Sequence, residues 1–223
     1  NTGDPVSIPT VTDATGMYMF GGLQPGTYKI SFITPAGGYV PTSNDEGTDT
    51  DDSDADEASG MIPVFTVSSG DNIPTFDAGY YIPASIGNFA WVDENADGDQ
   101  DPGEPGLEGV QVMLIGTNGL GDLVNQTVYT DVNGYYEFTN LVPGDYKLKF
   151  ASPTGSAYEM TNNDQASGDD TQDSDAIESM GGMTATETLT SGEDNPNYDA
   201  GFYEQASVGD LVWLDDNANG VQD

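Results

Sequence analysis

The sequence predicts an all-β protein built from tandem antiparallel β-sandwiches joined by short linkers. Short apolar runs are separated by turn residues roughly every ten positions, which is typical of sandwich strands. Apolar and polar residues alternate within these runs, so one face of each strand is expected to be buried. Blocks of similar sequence also recur along the chain, which indicates repetition of one structural unit.

The repeat shows most clearly in two pairs of blocks. Residues 12–20 align with residues 130–138, and both blocks read Thr-Asp-x-x-Gly-x-Tyr-x-Phe. Residues 85–91 recur at residues 207–213, and each of these blocks ends in a tryptophan. The block Asp-Ala-Gly-Tyr/Phe-Tyr closes each unit at residues 77–81 and 199–203, so only a few residues join it to the next unit. Such short joints favour a semi-rigid rod.

Three parts of the chain follow from this alignment. We interpret residues 1–81 as an incomplete repeat that lacks its first strands and residues 85–206 as a complete repeat. Residues 207–223 would then be the first strand and partial acidic loop of the next repeat. The missing strands of the first repeat are expected either from a preceding segment of a longer polymer or from another copy by strand complementation.

The first strand of the complete repeat is expected at residues 86–92. Phe89 and Trp91 point to one side, whereas Ile86 and Ala90 point to the other, so apolar groups face both ways. A long loop or a neighbouring repeat would have to cover the second side.

Later strands are predicted from alternation and from turn residues. Residues 124–130 and 135–139 are predicted to form a β-hairpin around a turn at residues 131–134. The complete repeat should contain about seven strands in all. In the first repeat, Pro63 places the strand at residues 62–67 on a sheet edge. In the complete repeat, two further strands are expected to direct six side chains into the core: Val110, Val112, Leu114, Tyr146, Leu148 and Phe150.

Between the first two strands, residues 93–104 match the pattern D-x-[DN]-x-[DN]-G-x5-E at every ligand position. Calcium takes about six to eight oxygen ligands, and such a loop supplies side chains at positions 1, 3, 5, 9 and 12 and a carbonyl at position 7. The flanking segments are predicted strands, so the loop is expected without the helices of an EF-hand. The predicted calcium ligands are Asp93, Asn95, Asp97, Asp99, Asp101 and Glu104.

The same loop pattern begins again near the end of the sequence. The competing interpretation of both loops is a solvated turn without metal, since Asp, Asn and Gly favour turns for their own reasons. Recurrence of the pattern at equivalent places in a repeat favours the calcium site. The partial second loop is predicted to offer four ligands: Asp215, Asn217, Asn219 and Asp223.

A second acidic stretch recurs in both copies around a shared Asp-Ser-Asp-Ala core. Runs of charge are usually solvated loops, and this stretch has no fixed loop geometry. Its recurrence nevertheless favours further metal ligands, together with one aspartate before the last strand of each copy. These additional candidates are Asp52, Asp54, Asp77, Asp164, Asp173, Asp175 and Asp199.

The charge of the chain agrees with a cation-binding protein. There are 39 acidic residues against 3 basic ones, a formal net charge of -36, yet 35% of residues are hydrophobic and can build cores. A folded chain of this charge repels itself, and bound cations would offset that repulsion. We expect the metal-free protein to be loose or partly unfolded. Nucleic acid and anionic lipid surfaces are not expected partners.

Several sequence features bear on location. The chain has no cysteine, so disulfides carry no information about the compartment. No run of about twenty apolar residues is present, so direct membrane insertion of this segment is not expected. Calcium loops of modest affinity fill where calcium is millimolar, which indicates an extracellular location.

Six short motifs are distributed over nearly the whole chain: Ser-Ile/Val-Gly-x-x-x-Trp before the Asp-rich loop, Gly-Leu-Glu-Gly-Val-Gln-Val, Thr-Asp-x-x-Gly-x-Tyr-x-Phe, Leu-x-Pro-Gly-x-Tyr, Asp-Ser-Asp and Asp-Ala-Gly-Tyr/Phe-Tyr. Together they resemble the SdrD B-like repeats of bacterial serine-aspartate repeat surface adhesins, relatives of the collagen-adhesin B (Cna-B) domains. The resemblance implies a calcium-binding, Cna-B-like (immunoglobulin-like or prealbumin-like) sandwich in which the loop at residues 93–104 carries the tightest metal. It also implies a stalk module on a bacterial cell surface or in a secreted fibre.

One departure from the Cna-B relatives concerns covalent cross-linking. Many of them join a lysine of the first strand to an asparagine with the help of a glutamate, but Phe32 and Phe150 stand where that glutamate is expected. The first strand has no lysine either. An intramolecular isopeptide bond is therefore not expected, and calcium would have to supply the rigidity.

The expected function is a calcium-stabilised structural repeat of a long extracellular stalk, fibre or adhesin, partnered by neighbouring repeats of the same polypeptide and by self-association into filaments. The alternative is a calcium-dependent adhesion module that binds a glycan or a host protein through exposed tyrosines. Against it, Tyr18, Tyr28, Tyr136 and Tyr146 alternate inward and would fill the core. An enzyme is not expected, because the chain has no histidine, no cysteine and no nucleophile motif.

Overall fold

The computed structural model describes residues 7–44, 52–161, 172–216, 218 and 220–222. The chain divides into two compact units, Asn1–Tyr81 and Ile82–Asp223. Strands are the main regular elements of the described residues, and the one short helical turn there, Glu178–Met180, has three residues. No helix among the described residues combines the length and the apolar character needed to span a bilayer.

Among its described residues, the first unit contains short strands in two antiparallel pairs. They are β1 (Gly26–Tyr28) with β3 (Phe65–Val67), and β2 (Val40–Pro41) with β4 (Tyr80–Tyr81). The strand predicted at residues 62–67 begins only at Phe65, two residues after Pro63. Proline has no N–H to donate to a ladder, which explains the late start.

The second unit contains nine strands within its described residues. The long ones are β5 (Ala84–Val92), β6 (Gln111–Asn118), β7 (Leu123–Tyr129), β8 (Tyr135–Leu141) and β9 (Gly144–Ala151). The short ones are β10 (Tyr158–Met160), β11 (Glu187–Leu189), β12 (Asp194–Asn195) and β13 (Ala200–Glu204). The prediction of about seven strands was too low, because three of these strands have only two or three residues. Alternation cannot be recognised over so short a run.

Two sheets form the sandwich of the second unit. One is antiparallel with the order β11-β9-β6-β7, and the other has the order β10-β13-β5-β12 with β8 also paired to β5. β5 runs antiparallel to β8 but parallel to β12 and β13. The all-β sandwich is thus confirmed, although the second sheet is mixed rather than purely antiparallel. The first and last strands of the unit lie side by side in the same direction, a pairing that no local pattern predicts.

The core lies between the two sheets, as the alternation predicts. Val110, Val112 and Leu114 are fully buried, and so are Tyr146, Leu148 and Phe150 to within about 1% exposure. From the facing sheet, Ile86, Ala90, Tyr136 and Phe138 complete the same cluster. Trp91 lies outside that cluster and is nevertheless fully buried. The second side of β5 is therefore covered at this position.

The turn at residues 131–134 forms, but the predicted hairpin around it is wrong. β7 belongs to the four-stranded sheet, whereas β8 belongs to the sheet of β5, so the turn carries the chain from one layer to the other. The Asp131 carboxylate accepts the N–H groups of Asn133 (2.8 Å) and Tyr135 (3.0 Å). Such an Asx turn suits a hairpin and a layer crossing equally well, so the turn sequence cannot distinguish them.

Asp131→Ala should lower the melting temperature at neutral pH by removing both acceptors. The hydrogen bonds from Tyr135 and Asn133 hold the pKa of the Asp131 carboxyl below its usual value. A lowered folded-state pKa means that the stabilisation is complete above the unfolded-state pKa and is lost as the pH falls through the folded-state pKa. The difference between the variant and the wild type should therefore vanish in acid. Thermal melting at pH 7 and near pH 2 measures this, and an equal difference at both pH values would contradict it.

Candidate metal centre

The loop at residues 93–104 leaves β5 and returns to it. The Val92 N–H donates to the Pro105 carbonyl (2.8 Å), and the Leu107 N–H donates to the Ala90 carbonyl (2.8 Å). On the other side, the Asp93 N–H donates to the Phe202 carbonyl of β13 (2.8 Å). Three backbone hydrogen bonds therefore fix both ends of the loop to the sheet.

Thr130 holds the segment that follows the loop. Its side chain is buried, and the hydroxyl donates to the Leu107 carbonyl while accepting the Val110 N–H. Thr130→Val keeps the shape but leaves both backbone groups buried without this partner. We expect a loss of about 1–3 kcal/mol of unfolding free energy, measured by urea denaturation. The exposed Thr127→Val is the control, and an equal effect of the two changes would contradict the role of the hydroxyl.

Asp93, the first predicted ligand, has a fully buried side chain at the start of the loop. Its two carboxylate oxygens accept the N–H groups of Ala96 (2.6 Å) and Gly98 (2.9 Å). Both donors have left-handed backbones, with φ of 58° at Ala96 and 90° at Gly98. The left-handed form costs a residue with a Cβ about 1–2 kcal/mol. The carboxylate bonds maintain this sharp reversal.

The side chains at positions 3, 5 and 9 of the loop meet. The Asn95 amide donates to the carboxylates of Asp97 (2.8 Å) and Asp101 (3.1 Å). Glu104, at position 12, reaches back across the loop, where its carboxylate accepts the N–H groups of Glu94 (2.8 Å) and Asp101 (2.9 Å). The loop thus brings together three side chains spread over six positions, and the Glu104 carboxylate contacts backbone N–H groups up to ten positions earlier.

The donor set fits calcium in its chemistry. Every candidate offers carboxylate, amide or carbonyl oxygen, which are the ligands that hard cations prefer. Within the described ranges, no three acidic side chains are gathered tightly enough to form a metal cage by themselves. Asn95 stands between the two carboxylates instead, and the Asp93 and Glu104 carboxylates are directed at backbone N–H groups. Two carboxylates therefore converge on the Asn95 NH2 group, while Asn95 Oδ1 accepts the Asp97 N–H, and the remaining acids line the loop.

The partial second loop repeats the start of the first. The Gly220 N–H donates to the Asp215 carboxylate (2.7 Å), as Gly98 donates to Asp93. Ala218 has a φ of 57° and Gly220 a φ of 76°, close to their counterparts. The local sequence thus determines this turn. The other predicted ligands of the second loop, Asn217, Asn219 and Asp223, lie outside the described residues.

The second acidic stretch runs directly alongside the first loop. Asp99 and Asp173 form an antiparallel bridge, and the Ser174 N–H donates to the Gly98 carbonyl (2.9 Å). The Gln100 N–H donates to the Gln172 carbonyl (2.6 Å). Two acidic segments that lie about seventy positions apart in the sequence are therefore neighbours in space. Their separation in the sequence gives no sign of this contact.

Asp175 and Asp199 form a reciprocal pair behind this contact. The Asp175 N–H donates to the Asp199 carbonyl (3.0 Å), and the Asp199 N–H donates to the Asp175 carboxylate (2.8 Å). The buried Asp199 carboxylate accepts the Phe89 N–H (3.1 Å) and the Asn88 amide (3.0 Å). Burial raises the pKa of Asp199 to about 8, and the nearby charge of Asp175 adds to the effect. Burial beside a second carboxyl thus disfavours the charged form of Asp199.

The first unit contains the same reciprocal pair. The Asp54 N–H donates to the Asp77 carbonyl (3.1 Å), and the Asp77 N–H donates to the Asp54 carboxylate (2.8 Å). Asp52 lies half-buried two positions before Asp54. Asp164, the remaining candidate, lies outside the described residues. The paired aspartates are therefore a repeated structural feature of both units.

Sequence reasoning missed three residues near the site. Asn88 is a polar residue in an otherwise apolar strand, and its aspartate counterpart in the repeat, Asp210, was the signal that could have drawn attention to it. Trp91 Nε1 and Thr161 Oγ1 are buried without a hydrogen-bond partner among the described residues. Both side chains flank Gly201, where a Cβ would come within about 3 Å of either one. No sequence pattern predicted this pair.

Comparison with known proteins supports the resemblance seen in the sequence. A model of the SdrD B-like domain matches residues 1–80 and 84–202. The chain is 40% identical over 217 residues to serine-aspartate repeat-containing protein D of Staphylococcus aureus (strain MW2), covering 96% of this chain and 15% of that protein. It is 39% identical over 220 residues to serine-aspartate repeat-containing protein F of Staphylococcus epidermidis, covering 95% of this chain and 12% of that protein. The chain thus spans less than a sixth of the length of these curated relatives.

Among solved structures, the chain resembles GBS52, the minor pilin of Streptococcus agalactiae. The sequence identity is 14% and the TM-score is 0.36, over 70% of this chain and 68% of the pilin. The family assignment rests on the sequence comparisons, because the family model covers most of both units. The chain belongs to the SdrD B-like domain family.

Proposed function

We propose that this chain is a calcium-stabilised structural repeat of a long bacterial extracellular stalk, fibre or adhesin. The convergence of Asn95, Asp97 and Asp101 carries the proposal. The loop that holds them is fixed to β5 at both ends, and its opening turn recurs at Asp215 and Gly220. Membership of the SdrD B-like family and relatives named for serine-aspartate repeats support a role as one module among many.

Six residues of the first loop would hold the ion. Five would bind through side chains and Asp99 through its carbonyl, in keeping with the loop pattern. A bound calcium ion supplies two positive charges to this acidic region. The chain's own contribution is to hold the loop in place through Val92 and Leu107 and to bring Asp173 beside Asp99. The five side-chain ligands are Asp93, Asn95, Asp97, Asp101 and Glu104.

A structural role is better supported than ligand recognition through aromatic residues. Tyr136 and Tyr146 are buried, and their hydroxyls donate to the Tyr198 and Val142 carbonyls inside the unit. These two side chains point inward as predicted and are not available to a binding surface, whereas Tyr18 and Tyr28 are half-buried. The alternative of a calcium-dependent module for a glycan or a host protein has no comparable contact in its favour.

Calorimetric titration of the full chain with calcium tests the proposal. Asp97→Asn combined with Asp101→Asn should remove one binding site, because the two converging carboxylates are lost while the side-chain shapes remain. Glu108→Gln combined with Glu178→Gln removes the same charge at two exposed positions outside the loop and should leave the stoichiometry unchanged. Unchanged binding by the loop variant, or no heat of binding in the wild type, would contradict a calcium loop.

A further inference from the structure

The strand β7 ends the four-stranded sheet of the second unit. It pairs with β6 from Gln111 opposite Tyr129 to Thr117 opposite Leu123, without a bulge. Among the described residues, no strand pairs with its other edge. A regular edge strand of seven residues presents N–H and C=O groups that can accept another strand.

This edge lacks the features that usually prevent strand addition. Its sequence, Leu-Val-Asn-Gln-Thr-Val-Tyr, contains no charge and no proline, although the whole chain carries a net charge of -36. Leu123 is 87% exposed and Tyr129 is 62% exposed. Sheet edges are normally protected by charges, prolines or bulges. Another copy of this acidic chain would therefore meet little electrostatic repulsion along β7 itself.

We propose that β7 pairs with β7 of a second copy, antiparallel and centred on Gln126. The strand is self-complementary in this register, because Leu123 lies opposite Tyr129 and Asn125 lies opposite Thr127. Val124 lies opposite Val128 in the same way. Apolar pairs and polar pairs thus match on both halves of a two-fold interface. The two four-stranded sheets become one sheet of eight strands.

The acidic residues at the two ends of β7 select this register. In the centred pairing, Asp122 of each copy lies opposite Thr130 of the other. Pairing through the same edge of both strands allows only registers in which the sum of the paired residue numbers changes by two. Such a shift would place Asp122 opposite Val128 or Leu123 opposite Asp131, so that an acidic side chain faces an apolar one. The partner is a second copy because the strand is complementary to itself in the centred register.

This strand pairing would provide the surface for the self-association of the proposed fibre repeat, and it does not require bound calcium. Sedimentation equilibrium of the full chain should show dimers that become stronger with added salt, because salt screens the long-range repulsion between copies. An interface held by ion pairs would respond in the opposite direction, and that result would overturn the proposal. A chain that stays monomeric at all concentrations would also overturn the strand pairing. If the same monomeric sample binds calcium in a titration, the proposed calcium loop still stands.

Lysine substitutions on β7 test the pairing itself. Asn125→Lys with Thr127→Lys places lysine opposite lysine twice, and we expect the dimer dissociation constant to rise by about tenfold. Both side chains are exposed and point away from the core, and the lysines reduce the net negative charge. If the lysines acted only by lowering the net negative charge of each copy, they would strengthen the dimer instead of weakening it. Thr186→Lys with Thr188→Lys, at the opposite edge of the same sheet, is the matched control. A dimer that persists in the β7 variant would overturn the proposal.

A cross-link tests the register. The chain has no cysteine, so a single introduced thiol is unique. Gln126→Cys should give a disulfide-linked dimer under mild oxidation, because residue 126 lies opposite itself. Leu123→Cys and Thr188→Cys should not, since their counterparts in the second copy are distant. Equal cross-linking of all three variants would overturn the centred register.

Discussion

Calcium should raise the melting temperature of this chain by about 5–10 °C at saturating concentration. An ion that binds only the folded state at a hundred times its dissociation constant stabilises it by about 2.7 kcal/mol. For a unit of this size, each kcal/mol corresponds to about 2–4 °C. Calorimetric melting in calcium and in EDTA measures the difference. The fluorescence of Trp91, which is fully buried and two positions before Asp93, reports the same transition.

Substitutions in the loop at residues 93–104 test whether the rise in melting temperature comes from this site. Asp93→Ala with Asp97→Ala should abolish most of the calcium-dependent rise, because one ligand at the loop entrance and one at its centre are lost. The change also removes the acceptors of Ala96, Gly98 and Asp99, so the melting temperature in EDTA should fall as well. Asp97→Asn alone keeps the acceptor for Asp99 and isolates the effect of charge. Equal melting of the wild type in calcium and in EDTA would leave the loop as a turn without metal.

Gly134→Ala should be among the most destabilising single changes in the second unit. Gly134 has a φ of 89°, and a Cβ there would overlap the Ala90 carbonyl and approach the Gly106 Cα. The left-handed backbone costs a Cβ-bearing residue about 1–2 kcal/mol, and overpacking typically adds about 1–3 kcal/mol. We therefore expect a loss of about 2–5 kcal/mol of unfolding free energy in urea denaturation.

Gly155 provides the control for this substitution. Its φ of 82° is similar, but no atom lies within 4 Å of where its Cβ would stand. Gly155→Ala should thus show the conformational cost alone, about 1–2 kcal/mol. If both substitutions cost the same, Gly134 would not be packed closely against β5 and Gly106 in solution.

The strands and the loop turns were predictable because their signals are local. Val112 and Leu114, or Leu148 and Phe150, alternate with polar neighbours, and that alternation alone requires one buried face. Gly98 and Gly220 sit in equivalent Asp-rich sequences and adopt the same left-handed turn in both. Short strands such as β12 escaped prediction since two residues carry no periodicity.

The sequence by itself determined the all-β class, the inward faces of the long strands, the family and the local form of the acidic loop. Only the tertiary structure decided that β7 and β8 belong to different sheets, that β5 runs parallel to β13, and that Asp173 lies beside Asp99. The physical reason is that turns and alternation arise from interactions between neighbours in the chain. Backbone pairing between segments some seventy to a hundred residues apart depends on how whole faces pack, and no single segment encodes that.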